Sequence, residues 1–459
     1  MIYFRLLIGL FTAWLLGYLI VYLFDPSKKL SLFEGIALSF LIGQGAISLL
    51  SFFLLLLVPA LNSTLITTLL IAILFAVRLF FDKNMQFIGF PGSTANIRRF
   101  FDDRKNIIFV MLFILLCSLL MIKISYSFIE ACSKPEYAWD ASGNWTGIGK
   151  NIYHAQKYRP DKVIGVLSHE SSYPRGISLM HYWLFGWMGE ANDQWSKIIF
   201  PIEFLCLCII FYYGLKPIRG QLGAVAFTYF LCSAPIFLYH STIGYADLTK
   251  TVYFTVGIIY FYRWIQTKQN NYFWFFAASL AFTTWIKMEG KVLFAIGLAL
   301  LLFYLWRGCE EPFRNKLFFI GKYLSLFIII GLPWQLFIMF NRLLDPQSVL
   351  GFFYSRFFEL HKEMYVLMFS EGSWGLFWVI AAVAMVFFFK RQITGENTYL
   401  FLAILLFYGN LLFVFLIGLN PQHGITAVFN RVLLPVYPVV VYNLGCIIPA
   451  LRIDQKIRI

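Results

Sequence analysis

The stretch Ile177–Met188, ISLMHYWLFGWM, decides the topology of this chain. It is apolar but only about a dozen residues long, whereas a membrane-spanning helix needs about 20. It also carries His181 and a pair of tryptophans. If it crossed the membrane, every later segment would be inverted. Read instead as a re-entrant or interfacial segment over residues 177–190, it leaves the later basic clusters on one side of the membrane.

Immediately upstream lies the longest hydrophilic interval of the sequence, Ser127 to Gly176, with Lys134, Glu136, Trp139, Asp140, Lys150, His154, His169, Glu170 and Arg175. A long loop rich in Trp and Tyr, without low-complexity repeats, reads as folded and functional. Within it Trp145, Ile148, Ile152 and Ala155 recur at helical spacing while Lys150, Asn151 and His154 take the other sides. That pattern predicts a surface helix lying with one apolar face on the bilayer. Phe352–Leu367 predicts a second.

The rest of the chain is membrane. Its 459 residues are 60% hydrophobic, 20% aromatic and only 13% charged, with mean hydropathy +0.73. Soluble domains run at about 25% charged residues, so a soluble protein is excluded. The net charge of +14 sits in short clusters between apolar segments. That is the pattern of cytoplasmic loops facing anionic lipid, and it gives no sign of a nucleic-acid partner. Cys117, Cys206, Cys208, Cys232 and Cys446 fall in apolar segments, Cys309 in a basic loop and Cys132 in the polar loop. No disulfide framework and no metal-ligand spacing results. Met1 to Phe24 lacks a small-residue cleavage site, so it reads as a retained helix.

Hydropathy and the positive-inside rule together predict an all-α polytopic membrane protein with about 13 transmembrane helices, N-terminus outside and C-terminus inside. The first are Ile2–Phe24, Ile36–Leu57, Leu65–Phe80 and Ile107–Ser125. After the re-entrant segment come Ile198–Leu215, Leu222–Leu238, Val252–Tyr262, Tyr272–Ile286, Val292–Trp306 and Leu317–Phe340. Trp374–Phe389, Tyr399–Ile417 and Val432–Ala450 complete the set. Residues 1–105 read as an N-terminal three-helix extension with a basic cytoplasmic loop. Residues 106–459 form the body, with 127–176 as its extracytoplasmic loop.

This topology gathers unusual ionisable motifs on the outer face: Asp140 in WDAS, His169-Glu170 before Tyr173-Pro174, and Asp247 in GYADL. Lys287 and Glu289 in WIKMEG and Arg431 in NRVLLPVYP join them. Ionisable groups at membrane depth are costly and default to function. Each has a plainer reading too. Asp140 and Asp247 suit helix N-caps, His169 and Glu170 suit a solvated loop, Lys287 and Glu289 suit snorkelling anchors, and Arg431 suits a lipid phosphate. His181, His361, His423 and Glu203 read as structural. Taken together, a Lys and a Glu two apart, facing a pair of aspartates, are what a phosphate-bearing substrate beside a proton-accepting carboxylate needs.

In order and rough spacing, these motifs resemble the C-type (GT-C) glycosyltransferase superfamily, within it the bacterial family-39-like group related to protein O-mannosyltransferases and aminoarabinose transferases. The matching pieces are Trp139-Asp140-Ala141 with Trp145 and Lys150, His169-Glu170 with Tyr173-Pro174, Gly244-Tyr245-Ala246-Asp247-Leu248, Trp285 to Gly290, and Arg431 to Pro435. The resemblance implies a GT-C-like fold in the bacterial inner (plasma) membrane, with its active site on the extracytoplasmic face. It implies transfer of a sugar, as a hexosyl- or pentosyltransferase, from a polyprenyl-phosphate donor to a glycan, lipid or protein hydroxyl. Asp140 would be the general base, with Asp247 as a second acidic residue at the site. Lys287 and Arg431 would hold the donor phosphate, and Glu289, His169, Glu170, Lys150 and Tyr245 would bind substrate. No cofactor is required by the resemblance, a divalent metal being left open. The rival reading is a transporter or flippase of lipid-linked sugars, which predicts broken helices and a site at the bilayer midplane.

Overall fold

The computed structural model describes all residues except 27–28, 58–62, 82–106, 156–171, 342, 344–356, 371, 418–424 and 450–459. The described residues fold into helices. In chain order they are α1 (Ile2–Phe24), α2 (Leu32–Leu57), α3 (Ser63–Phe81), α4 (Ile107–Ser133), α5 (Thr146–Ala155) and α6 (Gly176–Met188). Next come α7 (Ile199–Leu231), α8 (Pro235–His240), α9 (Ala246–Thr267), α10 (Asn270–Ile286), α11 (Gly290–Arg307) and α12 (Phe313–Ile330). The last are α13 (Leu332–Phe340), α14 (Phe357–Phe369), α15 (Phe377–Phe387), α16 (Asn397–Ile417), α17 (Ile425–Leu433) and α18 (Val436–Ile447). Among them, 5 are long and apolar enough to cross a membrane, or 6 if α12 and α13, bent by 47° at their junction, make one span. That makes the chain an integral membrane protein. The expected count of about 13 is not reached by this length test, because α15 and α18 have only 11 and 12 residues and α7 counts once.

α7 is in fact a hairpin. Cys208 and Cys232 are 24 residues apart in sequence, yet their sulfurs lie 3.3 Å apart; a straight helix would separate them by about 36 Å. The reversal is at Gly220, midway between them, where φ is 70° and ψ −174°. A side chain is strongly disfavoured in that conformation, and glycine is not. The two arms match the two spans expected on either side of Lys216 and Arg219.

The helices run between two polar ends. At one end Arg263 meets Glu34 and Tyr272, Asn271 donates to Asp25, Tyr262 to Asn397, Arg391 to the Ile447 carbonyl and Arg219 to the Gly445 and Ile448 carbonyls. At the other end Ser127 meets Ser241 at 2.6 Å, Lys197 donates to the Pro135 carbonyl at 3.1 Å and Lys287 and Arg431 converge on Asp247. Thus α9, α11 and α18 start at the second end and finish at the first, and α10 runs the opposite way. The basic residues used to assign sidedness, Arg219, Arg263 and Arg391, lie at the end away from Asp140 and Asp247.

α2 is packed into the middle of the bundle. Its Leu41 carbonyl accepts from Tyr253 at 2.6 Å, Ser48 accepts from the Trp285 indole at 2.8 Å, and Gln44 donates to Glu203. It crosses α1 closely: a Cβ on Gly17 or Gly43 would collide with the facing backbone, the small-residue contact typical of membrane helices. The expected boundary at residue 105 lies outside the described residues.

α6 is a buried helix of 13 residues, about 20 Å long, and too short to span. Ser178 near its start donates to the Asn144 carbonyl at 3.4 Å, and Asp193 just past its end pairs with Lys150 at 2.6 Å. Both ends therefore rest against the same segment, 144–150. That segment corrects one expectation. Trp145, Ile148 and Ile152 are buried, so the apolar face packs onto α6 and the protein core and not onto the bilayer, and Ala155 is exposed. α14 corresponds to the second surface helix, whose first expected residues fall outside the described set; its Met364 and Leu367 are buried.

Candidate active site

Four chain segments meet at the second polar end. The first is the loop after α4, where Asp140 precedes a single π-helical turn, Ala141–Trp145. Asp140 makes no capping hydrogen bond to that turn, so the capping reading fails and its carboxylate is free to point elsewhere. The second is Ser241 to Tyr245, leading into α9. The two loops nest through Ala138, Ala141, Ile243 and Tyr245. Gly244 makes the nesting possible, since a Cβ there would strike the Glu136 carboxylate and the Ala141 side chain. Glu136 Oε1 accepts from the Tyr137 and Ala138 amides at 3.2 and 3.3 Å. Burial pushes its carboxyl above the ordinary range, with Lys197 opposing.

Asp247 sits in the first turn of α9, where the helix dipole favours a carboxylate. It is essentially buried, with its side chain 2% exposed, and three cations converge on it. Oδ1 accepts from Lys250 Nζ at 3.2 Å and Lys287 Nζ at 3.0 Å. Oδ2 accepts from Arg431 Nε at 3.1 Å and Nη2 at 2.9 Å. The same Nη2 also donates to Asp140 Oδ2, so one guanidinium joins the two aspartates. Its plane lies 4.5 Å from the centre of the Tyr245 ring, a cation–π contact that fixes its tilt.

Lys287 reaches Asp247 because α10 ends one residue before it, in extended backbone. The chain then reverses through Met288 and Glu289, and Gly290 backs against the Thr283 carbonyl. Lys287 Nζ stands 3.6 Å from Glu289. Burial works against the Lys287 charge, but Asp247 and then Glu289 outweigh it and hold the ammonium above its ordinary value. Glu289 is half open to solvent; against the desolvation it does meet, Lys287 followed by Lys250 holds its carboxyl below the ordinary value. On α17, Asn430 accepts from the Trp374 indole at 2.8 Å and so anchors the helix that carries Arg431.

The site is graded in depth. Side-chain exposure runs from 3% at Lys250 through 11% at Lys287 and 24% at Arg431 to 46% at Glu289. Asp140, at 22%, is the reachable aspartate and Asp247 the sealed one. With its oxygens taken by cations, Asp247 is a post that gathers positive charge. Asp140 keeps Oδ1 for another partner. Among the described residues no three His, Cys, Asp or Glu side chains converge as a metal site would require. The chemistry on offer is anion binding beside a carboxylate.

Asp140, Asp247, Lys287, Glu289, Arg431 and Tyr245 are therefore brought together as the motifs suggested. Lys150 is not: it pairs with Asp193 against α6. His169 and Glu170 lie outside the described residues. His181 and Glu203 are satisfied core groups, bonded respectively to Thr146 and Ser196 and to Thr249 and Gln44. Sequence reasoning missed Lys250, whose signal was its place one turn after Asp247 in an apolar helix. It also missed His240, which is buried with its ring 5.8 Å from Tyr245. Burial pushes His240 down to about 4, Asp247 opposing, so its ring is neutral at pH 7.

No known family's sequence pattern matches the chain, and no curated protein does. Among solved structures it is similar to ArnT from Cupriavidus metallidurans in the apo state, with TM-score 0.48 and 11% identity over 73% of this chain and 59% of that one. It is also similar to the same protein bound to undecaprenyl phosphate, with TM-score 0.47 and 12% identity over 72% of this chain and 59% of that one. The chain thus spans about three-fifths of the length of these neighbours. At this depth of similarity only a loose likeness of shape is involved, and the functional reading rests on the site residues.

Proposed function

We propose that the chain is a glycosyltransferase that moves a sugar from a polyprenyl-phosphate carrier to an acceptor hydroxyl, with inversion at the anomeric carbon. The observation that carries this reading is the arginine shared by a reachable and a sealed aspartate, with a buried lysine beside them. A phosphate entering from the open side meets Lys287 and Arg431. Each is already charged, and each gives up a share of Asp247 to gain the phosphate. When Arg431 turns to the phosphate it releases Asp140.

The step then balances. The acceptor oxygen attacks the anomeric carbon from the face opposite the phosphate and its proton passes to Asp140, a general-base role. The bond from that carbon to the phosphate oxygen breaks, and the extra negative charge develops on the phosphate against Lys287 and Arg431. Cations placed in advance, in a partly dry site, stabilise that charge far better than water does. Exposed Trp139, one residue before Asp140, offers a flat face to a sugar ring. The site would lie on the extracytoplasmic face of a bacterial inner membrane, since the basic ends of the helices are at the other end.

A transporter of lipid-linked sugars would draw on the buried carboxyl of Glu203. Thr249 and Gln44 already satisfy that group, and the open charges cluster at one end of the bundle and not between the ends. The test is transfer by purified protein in detergent and lipid from a panel of radiolabelled polyprenyl-phosphate sugars, beginning with undecaprenyl carriers. Release of free polyprenyl phosphate by the wild type, lost in Asp140→Asn, establishes the reaction. Sugar-lipid binding without turnover, equal in both proteins, moves the assignment to transport.

A further inference from the structure

The reaction as proposed leaves one buried cation without a task. Lys250 lies in α9 one turn after Asp247, its side chain 3% exposed. Among the described residues its Nζ donates to Asp247 Oδ1 alone, at 3.2 Å. A lone lysine buried in an apolar helix is costly to keep. Lys287 and Arg431 reach the same carboxylate, but each is shared with a second one, Glu289 or Asp140, so Lys250 is the one cation of the three whose ion pair is with Asp247 alone among the described residues.

The need appears when the donor binds. Lys287 and Arg431 come from other segments and are the more exposed of the three cations. They are the ones a phosphate from the open side reaches, while Lys250 stands behind the carboxylate. If both turned to the phosphate, a carboxylate only 2% exposed would lose its remaining partners, and leaving a buried charge unpaired is strongly unfavourable. We propose that Lys250 is a positioning residue that holds Asp247 in place while Lys287 and Arg431 pass to the donor phosphate. This rests on the reading of the site as a polyprenyl-phosphate-sugar transferase. Lys250 can do this because it shares a rigid helical turn with Asp247 and follows no ligand. By sharing Oδ1 it also weakens the hold of Asp247 on Lys287, so it makes both mobile cations easier for the phosphate to win.

The test is binding of farnesyl phosphate, followed by intrinsic tryptophan fluorescence, together with donor KM and kcat where a donor has been found. Lys250→Met is expected to weaken farnesyl phosphate binding and raise donor KM by about tenfold, with kcat changed by less than about threefold. Lys250→Arg, which keeps the charge, restores binding to within about threefold of wild type. The double variant D247N/K250M binds as D247N does, because the hydrogen bond through which Lys250 is proposed to act is to Asp247. If Lys250→Met folds and binds farnesyl phosphate like the wild type, or if K250M weakens binding further on the D247N background, the proposal is overturned. If Lys250→Met fails to fold, Lys250→Arg and Lys250→Gln decide between the two results. Wild-type protein that binds no farnesyl phosphate removes the donor-phosphate reading itself, whereas binding without sugar transfer removes only the transferase.

Discussion

The two ends of the bundle hold the same kinds of groups and use them differently. At the end away from Asp140 Glu34 meets Arg263, the Tyr260 hydroxyl donates to Glu34 at 3.0 Å, and Arg263 Nη2 donates to the Tyr272 hydroxyl at 2.7 Å. Tyr272 also lies under the guanidinium, 4.2 Å from it. The pair is closed: each charge has its partners, and the side chains are only 2% and 14% exposed. At the end that holds Asp140 three carboxylates and three cations also balance, but the shares are uneven. Asp247 holds three cations, while Asp140 and Glu289 hold one each on the open side. A balanced but uneven cluster with one open side can exchange a partner for an incoming anion. A closed pair cannot. The contrast separates a structural ion pair from a candidate site more sharply than the presence of charge in a membrane protein does.

Mutations can break that contrast. The largest effect is expected at the reachable aspartate: Asp140→Asn should lower turnover by about a thousandfold with an unchanged melting profile, read in the polyprenyl-phosphate-sugar transfer assay. Near-normal turnover would remove Asp140 from the base role. Arg431→Gln comes next, at about a hundredfold in kcat/KM, with release of free polyprenyl phosphate as the readout. An effect no larger than that of a surface change would mean that the phosphate does not lie there.

The Glu34–Arg263 end should respond in the opposite way. Glu34→Gln strands a buried guanidinium and is expected to cost about 3–5 kcal/mol of stability, seen as a lowered Tm. Donor KM should stay at the wild-type value at temperatures where the variant is folded; a raised KM would join the two ends functionally. The smallest effect is expected at Lys150, whose partner is Asp193. Lys150→Gln should cost no more than about 1 kcal/mol and leave kinetics unchanged. A clear loss of donor affinity would place residue 150 back among the substrate contacts.

Much of the site was legible in the chain. Asp140, Asp247, Lys287, Glu289 and Arg431 stand out because charge in an apolar sequence is costly, and sidedness brings their loops to one end. The order of roles was not legible. Nothing in GYADL or WDAS says that Asp247 is sealed by three cations while Asp140 stays reachable. Lys250 does not stand out in the sequence, because a Lys three residues from an Asp has the spacing of an ordinary helix pair. The family resemblance implies a substrate contact for Lys150, yet its side chain pairs with Asp193. The apolar face of α5 was read as a membrane face because sequence cannot tell lipid from an apolar partner helix.

By itself the sequence determined the class of the protein. Apolar runs separated by basic clusters suffice for a polytopic bundle, because the bilayer leaves the backbone few alternatives to helix. It also set the length of ISLMHYWLFGWM, a dozen residues where a span needs about 20, since length is a local property. Tertiary structure decided what was buried against what. It laid α5 on α6, threaded α2 through the centre and brought Arg431 to both aspartates across 291 and 184 residues of chain. Such contacts depend on how loops nest, here through the missing side chain at Gly244, and no local pattern encodes the distance between two loops.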